Sequence, residues 1–342
     1  MRVLIIGASG FIGPHLVEQL SRDGHALAVY HRGHSRYEAP AGVTRIVGDR
    51  RHIEADADQL RAFAPEVVVD LILSSGTQAA AMMRVFEGVA RRVVAVSSMD
   101  VYRACGILHR LEDGPLEPMP LRETSALRSK TQTYPEAQLR ILQQTFGWLD
   151  DEYDKIPVER AVLGEPRLPG TILRLPMIYG PGDPLHRLFP LLKRVDDRRP
   201  VILLDEELAQ WRAPRGYVEN VAAAIALATV SEQAAGRIYN VAEPIAFSEH
   251  DWARDVAAAA GHTGHVVVIP SDRAPAHLKM PGNLAQHWVP DTTRIRRELG
   301  YIEPISRAEA LRRTIAWERA NPPAQINPAM FDYAAEDAVI AG

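Results

Sequence analysis

Three glycines with a spacing of three residues stand near the start of the chain, at Gly7, Gly10 and Gly13. They follow the apolar run 3–6 and open an amphipathic stretch, so the pattern predicts a tight turn between a strand and a helix. The free N–H groups and the dipole of such a helix favour an anion close to the backbone. The spacing therefore predicts a site for the diphosphate of a dinucleotide; a glycine-rich turn without a ligand is the alternative.

A basic cluster, and no acidic residue, follows the second apolar run. Residues 31–36 include His31, Arg32 and Arg36. An acidic residue at this place hydrogen-bonds the ribose 2′-hydroxyl of NAD, whereas a basic residue accommodates the 2′-phosphate of NADP. Because arginine binds phosphate through two parallel hydrogen bonds, we expect a preference for NADP over NAD. Solvated surface charge is the alternative for both arginines.

Short apolar runs alternate with amphipathic stretches through the first half of the chain and must position these residues. The runs span residues 3–6, 27–30, 43–47, 67–73 and 93–96. Each is too short for a helix, and β-branched residues are frequent in them. Nearly continuous apolar strands of this kind are typical of a parallel sheet that is covered by helices on both faces. We therefore expect an α/β fold, a Rossmann-type doubly wound parallel sheet, with a smaller C-terminal α/β domain that binds substrate.

The second half of the chain is less regular. Residues 103–150 contain four prolines among mixed charges and are expected to form a long irregular insertion. We expect a dinucleotide-binding domain over residues 1–168. Residues 169–322 would add the last elements of that domain and the substrate domain, and residues 323–342 would form a tail.

Composition excludes several classes of function. The net charge of -4 provides no bulk positive field for nucleic acid or anionic membranes. The single cysteine, Cys105, cannot form an internal disulfide, and the twelve histidines show no metal-ligand spacing. No apolar run approaches the roughly 20 residues of a membrane span. We expect a cytoplasmic protein that binds no nucleic acid, no membrane and no metal.

Several motifs in order along the chain resemble one superfamily. Residues 7–13 read GASGFIG, residues 96–102 resemble Ser-Ser-x-x-Val-Tyr, and residues 173–182 resemble Leu-Arg-x-x-x-x-Tyr-Gly-Pro-Gly. Up to about residue 322, the chain is similar to the extended short-chain dehydrogenases/reductases, in particular their NAD(P)-dependent sugar-nucleotide epimerases and dehydratases. The resemblance implies transient hydride transfer on a sugar nucleotide or similar polyol, and a homodimer.

The resemblance also implies a hydroxyl residue and an acid near the reacting centre. Ser98 lies four residues before Tyr102, as the family's serine does, and would orient the substrate oxygen. In the family's dehydratases an acidic pair follows this hydroxyl, and here Asp100 alone is acidic at the corresponding positions. A carboxylate there would serve as a base. A capping role for Ser98 and a turn role for Asp100 are the alternatives.

The tyrosine and lysine of the superfamily are less well matched. There, a lysine four residues after a tyrosine holds the ribose and lowers the pKa of that tyrosine, the general acid/base. Lys155 and Glu159 fit the family's Lys-x-x-x-Glu, but Asp151 stands where the tyrosine belongs. Tyr153 is our candidate acid/base because it would lie in the turn that leads into the helix. Tyr134, inside the insertion, is a weaker substitute.

The remaining site residues are implied by the resemblance. Asp49 would lie against the adenine amino group. The expected cofactor-binding residues are Gly7, Ser9, Gly10, Phe11, Ile12, Gly13, His31, Arg32, Arg36, Asp49, Arg50, Leu71, Lys155 and Pro176. The expected substrate-binding residues are Tyr179, Arg212 and Arg215, with Lys193 and Arg194 as additions to a diphosphate site. Ordinary surface charge is the alternative for these cations.

Two other functions stay open at this point. An NADP-dependent carbonyl reductase would show net consumption of NADPH. A non-catalytic member of the fold, which senses nucleotides or associates with RNA, is favoured by the displaced tyrosine. The intact glycine turn, Ser98 and Lys155 favour an enzyme, and the net charge of -4 argues against RNA binding.

Overall fold

The computed structural model describes residues 1–33, 37–131 and 133–341. Within these ranges, seven strands form one sheet and four strands form two separate pairs. The strands are β1 (Arg2–Ile6), β2 (Ala26–His31), β3 (Thr44–Val47), β4 (Val67–Asp70), β5 (Arg92–Ser98), β6 (Gly170–Leu175), β7 (Met177–Tyr179), β8 (Val201–Asp205), β9 (Arg215–Tyr217), β10 (Ile238–Asn240) and β11 (His265–Ile269). The large sheet has the order β10-β6-β5-β4-β1-β2-β3, and the pairs join β7 to β9 and β8 to β11.

All strand pairs in the large sheet are parallel, so their carboxyl ends lie at one edge. Ile6 of β1 is in register with Tyr30 of β2 and with Asp70 of β4. Ser98, the last residue of β5, is in register with Leu175 of β6. Starting from β1, the sheet extends to one side through β2 and β3 and to the other side through β4, β5 and β6. Ligands of open parallel sheets bind outside the carboxyl ends where the order reverses.

Helices and short 3-10 turns cover the sheet and build the rest of the molecule. The helices are α1 (Gly13–Arg22), α2 (Ala57–Ala62), α3 (Gly76–Phe86), α4 (Arg103–Leu108), α5 (Glu136–Thr145), α6 (Lys155–Leu163), α7 (Phe189–Asp196), α8 (Glu206–Gln210), α9 (Val218–Val230), α10 (Glu249–Ala259), α11 (Thr293–Leu299), α12 (Arg307–Ala320) and α13 (Tyr333–Ala341). The 3-10 turns are Arg50–Asp56, Met99–Val101, Glu232–Ala234, Ala276–Leu278 and Pro328–Phe331. In the described part of the chain, none of the helices combines the length and hydrophobicity that a membrane crossing needs.

Successive side chains of each central strand enter opposite cores. Val3 and Ile5 of β1 pack with residues of α1 and α9 on one face. Leu4 and Ile6 pack with residues of α3 and α6 on the other face. Because both faces are buried, the strands are apolar throughout instead of alternating with polar residues. The prediction of a Rossmann-type doubly wound parallel sheet is confirmed, whereas the domain boundaries stay a prediction.

The structure differs from the sequence-based expectations in three segments. β4 ends at Asp70, earlier than predicted, because the Asp70 carboxylate accepts a hydrogen bond from the Ile72 N–H at 3.0 Å and turns the chain. The segment 103–150, expected to be irregular, contains α4 and α5. The segment 323–342, expected to be a tail, carries α13, whose Glu336 is fully buried. Contacts with distant segments stabilise these elements.

Candidate active site

The glycine turn between β1 and α1 has two glycines that the protein's own packing requires. Gly7 has a φ of +85°, and a Cβ there would lie 2.7 Å from the Ile72 side chain. At Gly13 a Cβ would lie 2.1 Å from the Ala8 carbonyl oxygen. At Gly10 the nearest atom would be 3.5 Å away, an ordinary contact. The fold therefore leaves space at Gly10, where the backbone faces a large cleft.

This cleft of about 1100 Å³ lies along the carboxyl ends of the central strands. Residues of the first turn of α1 line it, and that turn carries no acidic side chain to compete for the helix N-terminus. The predicted site residues that line the cleft are Gly7, Ser9, Gly10, Phe11, Ile12, Gly13, His31, Arg32, Asp49, Arg50, Leu71, Ser98, Tyr153, Lys155 and Pro176. Six predicted site residues lie elsewhere: Asp100, Tyr179, Lys193, Arg194, Arg212 and Arg215.

The basic cluster after β2 is only in part a cationic surface. The Nδ1 atom of the buried His31 accepts a hydrogen bond from the Gly33 N–H at 3.0 Å. Burial lowers the pKa of His31, and the positive charge of Arg45 adds to this effect. His31 is therefore a neutral turn residue at pH 7, in contrast to its predicted place in a basic cluster. Arg32 is exposed and lines the cleft, whereas Arg36 lies outside the described residues.

Asp49 and Arg50, at the end of β3, are both held by other side chains. Asp49 accepts a hydrogen bond from Arg51 Nε at 3.0 Å, and this contact lowers the pKa of Asp49 to about 2. Arg50 is buried and donates to Asp70 Oδ2 at 2.8 Å. Its Nε and one terminal nitrogen have no hydrogen-bond partner among the described residues. A buried guanidinium in the cleft wall thus keeps two donors without a partner among the described residues.

At the other end of the cleft, two tyrosines donate to one buried carboxylate. Asp100 Oδ2 accepts hydrogen bonds from the Tyr153 hydroxyl at 2.8 Å and the Tyr134 hydroxyl at 3.1 Å. Burial, followed by the negative charge of Asp100, raises the pKa of both phenols well above the usual value. Both tyrosines are therefore protonated donors at neutral pH. Asp100 lies behind them and reaches the cleft through their hydroxyl groups, since both tyrosines line it.

Lys155 is the first residue of α6 and is 2% exposed. Its Nζ donates to the carbonyl oxygens of Leu73 and, at 3.2 Å, of Val96. The ammonium also lies 5.0 Å from the centre of the Trp148 ring, which contributes a cation–π contact. Burial lowers the pKa of Lys155 to about 8, against the opposing effect of nearby carboxylates, of which Asp100 is the largest. Lys155 is therefore a desolvated cation in the wall of the cleft.

The spacing between Tyr153 and Lys155 follows from the way α6 begins. Asp154 caps the helix in an extended conformation, and its Oδ1 accepts a hydrogen bond from the Ile156 N–H at 3.0 Å. Tyr153 precedes this cap, so helical spacing does not govern its direction. Its ring centre lies 5.8 Å from Lys155 Nζ. The structure therefore brings Tyr153 and Lys155 together although they are two residues apart.

Ser98 caps a turn and also lines the cleft, while its role in orienting the substrate oxygen stays a prediction. Its Oγ accepts a hydrogen bond from the Asp100 N–H at 3.2 Å and so caps a 3-10 turn, and the residue also lines the cleft. The neighbouring Ser97 donates to Glu159 Oε1 at 2.6 Å. Glu159 in turn pairs with Arg174 at 2.7 Å inside the core. This buried pair ties β5, β6 and α6 together beneath Ser98.

The segment around α5 covers the cleft and was not assigned to the site from the sequence. None of the described residues of α5 is buried, yet Leu142 lines the cleft together with Phe146 and Trp148 just beyond the helix. The segment is anchored at Asp150, whose carboxylate accepts a hydrogen bond from the Ser74 hydroxyl at 2.9 Å. In the sequence, the available signal was that the predicted loop 103–150 contains apolar and aromatic residues as well as prolines. Such residues could have indicated that this segment covers the cleft.

A second cavity of about 440 Å³ lies beside the cleft, and Met177, Trp211 and Met280 line both. Tyr179 and Arg215 line this second cavity. Tyr179 is buried and donates its hydroxyl hydrogen to Glu243 at 2.8 Å, so its aromatic ring is a wall residue.

The cations predicted to form a diphosphate site are not brought together as free charges. Arg215 pairs with Glu249, and Lys193 pairs with Asp197 at 2.7 Å. Arg194 pairs with the buried Glu336. Arg212 is exposed and lines neither cavity. For Arg194 and Arg215 the carboxylates come from distant parts of the chain, which local sequence patterns do not reveal.

No group of three or more His, Cys, Asp or Glu side chains that could hold a metal ion occurs in residues 1–33, 37–131 and 133–341. Cys105 is buried, and burial raises the pKa of its thiol well above the usual value.

Known proteins resemble this chain in sequence and in fold. A 2′-dehydrokanamycin reductase from Streptomyces kanamyceticus is 25% identical over 293 residues, which cover 84% of this chain and 74% of that protein. The UDP-glucose 4-epimerase of Thermus thermophilus in complex with NAD has a TM-score of 0.61 and 23% identity, over 94% of this chain and 100% of that one. The Bordetella bronchiseptica enzyme WbmG in complex with NAD and UDP has a TM-score of 0.67 and 16% identity, over 94% and 95%.

The structural similarities show a shared fold, and the sequence match is more specific. The family model for the NAD dependent epimerase/dehydratase family matches residues 3–242. This range contains the glycine turn, Ser98, Tyr153 and Lys155, and it covers all seven strands of the large sheet. The chain therefore belongs to the NAD dependent epimerase/dehydratase family.

Proposed function

We propose that the protein is an NAD(P)-dependent enzyme that transiently oxidises a secondary alcohol carbon of a sugar nucleotide or similar polyol, as an epimerase or dehydratase. The observation that carries the proposal is the Tyr153–Asp100 hydrogen bond beside Ser98 and Lys155, in the cleft that the glycine turn also lines. When bound, the dinucleotide supplies a nicotinamide ring that accepts a hydride and returns it. The protein supplies positioning and proton transfer.

The residues of the cleft fit a dinucleotide. The space beside Gly10 admits a phosphate against the backbone, and the N-terminus of α1 offers free N–H groups without a competing acid. Arg50 adds a positive charge to the wall of the cleft. Lys155 is the residue we assign to the ribose hydroxyls, since its ammonium already donates to two carbonyl oxygens at the carboxyl edge of the sheet.

The proton path runs through Tyr153. In the oxidation step, the Tyr153 oxygen accepts the proton of the substrate hydroxyl while the phenol proton moves to Asp100 Oδ2 across the 2.8 Å hydrogen bond. In the reduction step the same two transfers run backwards. The Ser98 hydroxyl, which lines the cleft, orients the substrate oxygen. Asp100 is therefore the proton reservoir of the pair, and Tyr153 is the group that touches substrate.

Arg32 supports a preference for NADP over NAD. It is exposed, it lines the cleft after β2, and His31 beside it is neutral, so Arg32 is the cation that we assign to the 2′-phosphate. Arg32→Ala is expected to weaken NADP binding by about tenfold or more and leave NAD binding unchanged, since only NADP carries that phosphate. Arg22→Ala, an exposed arginine outside the cleft, is the matched control. Equal losses for both dinucleotides would contradict the assignment.

A net reductase is the second candidate, and two observations favour it. The relative from Streptomyces kanamyceticus is named a reductase. In addition, Tyr153 is protonated at neutral pH because of its burial and the charge of Asp100, and a protonated phenol is the form that donates to a carbonyl oxygen during reduction. A reductase consumes one NADPH per turnover, whereas an epimerase or dehydratase returns the hydride.

The test separates these outcomes with one assay. The full chain is incubated with NADP or NAD and UDP-glucose or methyl glucoside, and separately with NADPH and the corresponding keto sugars. Product is followed by mass and by NMR, and reduced dinucleotide by absorbance. Product without net change in dinucleotide supports transient hydride transfer, and stoichiometric NADPH loss supports the reductase. Tight dinucleotide binding without product from any of these substrates would contradict the enzymatic proposal.

A further inference from the structure

The second cavity has the position expected of a subsite for the far end of the substrate. A molecule that reaches Tyr153 from the substrate side can extend into it, since the two cavities share Met177, Arg187, Trp211 and Met280. Its volume of about 440 Å³ falls in the range of small-molecule sites. This inference rests on the proposed function, because that proposal places the reacting carbon beside Tyr153.

Three arginines line this cavity, and the chain neutralises each of them. Arg194 and Glu336 are both buried, with 2.6 Å between nitrogen and oxygen. Arg215 pairs with Glu249, and its guanidinium carbon lies over the Trp252 ring, 4.2 Å from the ring centre. A guanidinium that already binds a carboxylate has little charge left for a phosphate.

The third arginine follows the same pattern. Arg187 pairs with Asp183 at 2.7 Å, and Asp183 is 1% exposed at its side chain. Two further basic side chains, His277 and Lys279, line the cavity. His277 also contacts Glu336, and Lys279 is exposed. A diphosphate, which carries two or more negative charges, would therefore meet guanidinium groups that are already bound to carboxylates.

The remaining wall is apolar. Ile202, Leu203 and Leu204 of β8 form one side, and Leu191 of α7 and Trp252 of α10 form others. Met330 closes the cavity from the C-terminal segment that carries Glu336. Burying apolar groups against such a wall is favourable, whereas desolvating a phosphate there without a free cation is costly.

Two of the three carboxylates that pair with these arginines lie beyond the part of the chain that matches the family, and Asp183 lies within it. The match ends at residue 242, and Glu249 and Glu336 follow it. Trp252 and Met330 also follow it. The wall of the second cavity is thus built in part by residues outside the matched range, whereas the glycine turn and Tyr153 lie within it.

We infer that the second cavity binds an uncharged, largely apolar substituent of a polyol substrate, such as the aglycone of a glycoside, and that a nucleoside diphosphate is not its ligand. The C-terminal segment contributes through Glu336 and Met330, which remove a free cation and add apolar wall. Within the proposed function, this selects the non-nucleotide polyol over the sugar nucleotide.

Titration calorimetry of the full chain, with and without NADP, tests the inference through binding alone. The probes are hexyl glucoside, methyl glucoside and UDP. Hexyl glucoside is expected to bind at least about tenfold tighter than methyl glucoside, because its five additional methylene groups enter an apolar cavity. UDP is expected to bind more weakly than about 1 mM. Because no turnover is needed, the result is independent of whether the enzyme catalyses hydride transfer.

Two variants locate the effect. Leu191→Asp puts a charge into the cavity wall and is expected to abolish the advantage of hexyl over methyl glucoside, whereas Leu163→Asp, an exposed residue of α6 outside both cavities, keeps it. Glu249→Gln leaves Arg215 without its carboxylate and is expected to strengthen UDP binding about tenfold. Equal affinity for the two glucosides, or UDP binding by the wild type tighter than about 0.1 mM, would overturn the inference.

Discussion

Lys155 is a buried cation, and the free-energy cost of burying its charge can be measured without a substrate. Burial lowers its pKa from the usual 10.5 to about 8, a difference that corresponds to roughly 3 kcal/mol. Between about pH 8 and pH 10.5 the unfolded chain binds more protons than the folded chain at this residue. The contribution of Lys155 to the free energy of unfolding therefore rises with pH across this window, and its full cost is present below it.

Lys155→Met keeps the length of the side chain and removes the titration. Between about pH 7 and pH 10.5, the free energy of unfolding of the wild type is expected to rise by about 3 kcal/mol relative to this variant. Loss of the hydrogen bonds to Leu73 and Val96 shifts the variant by the same amount at every pH and does not affect this change. Urea unfolding at several pH values measures this difference. Lys130→Met, at an exposed position, should show no such change. Parallel pH curves for the wild type and Lys155→Met would refute a desolvated charge at this position.

Three further predictions concern the site and the core. Tyr153→Phe removes the hydroxyl that donates to Asp100 and should lower turnover by about 10²- to 10⁴-fold while leaving the Kd for the dinucleotide unchanged, as steady-state kinetics and calorimetry would show. Glu159→Gln leaves the buried Arg174 unpaired and should cost about 3–5 kcal/mol in urea unfolding. Gly10→Ala should fold normally, since its Cβ has ordinary contacts, but should bind dinucleotide at least about tenfold more weakly in calorimetry because the phosphates need close approach to the backbone.

Local patterns were sufficient to predict the sheet and one end of the cleft. Apolar runs buried on both faces have no polar alternation, so the strands and the glycine turn could be located along the chain. Ser98 also reached its predicted place because strand ends share one edge of a parallel sheet. Tyr153 lies beside Lys155 because Asp154 caps the helix between them. The sequence indicated only that a turn precedes this helix.

The rest of the site depends on side chains that meet across long stretches of sequence. Tyr134 contacts Asp100 from 34 residues away, and Glu336 reaches Arg194 from 142 residues away. No periodicity or motif encodes such pairs, since each partner is an ordinary polar residue in its own segment. For the same reason Arg215, which fits a family motif in the sequence, is found neutralised by Glu249 in the structure.

The central claim is that the cleft beside the glycine turn binds a nicotinamide dinucleotide. Titration calorimetry of the full chain with NADP, NADPH, NAD and NADH, after removal of any co-purified nucleotide, tests it most directly. The account predicts saturable binding of one dinucleotide per chain, with the phosphorylated forms bound more tightly because of Arg32. Absence of binding by all four dinucleotides, in a protein that carried no nucleotide when purified, would contradict it.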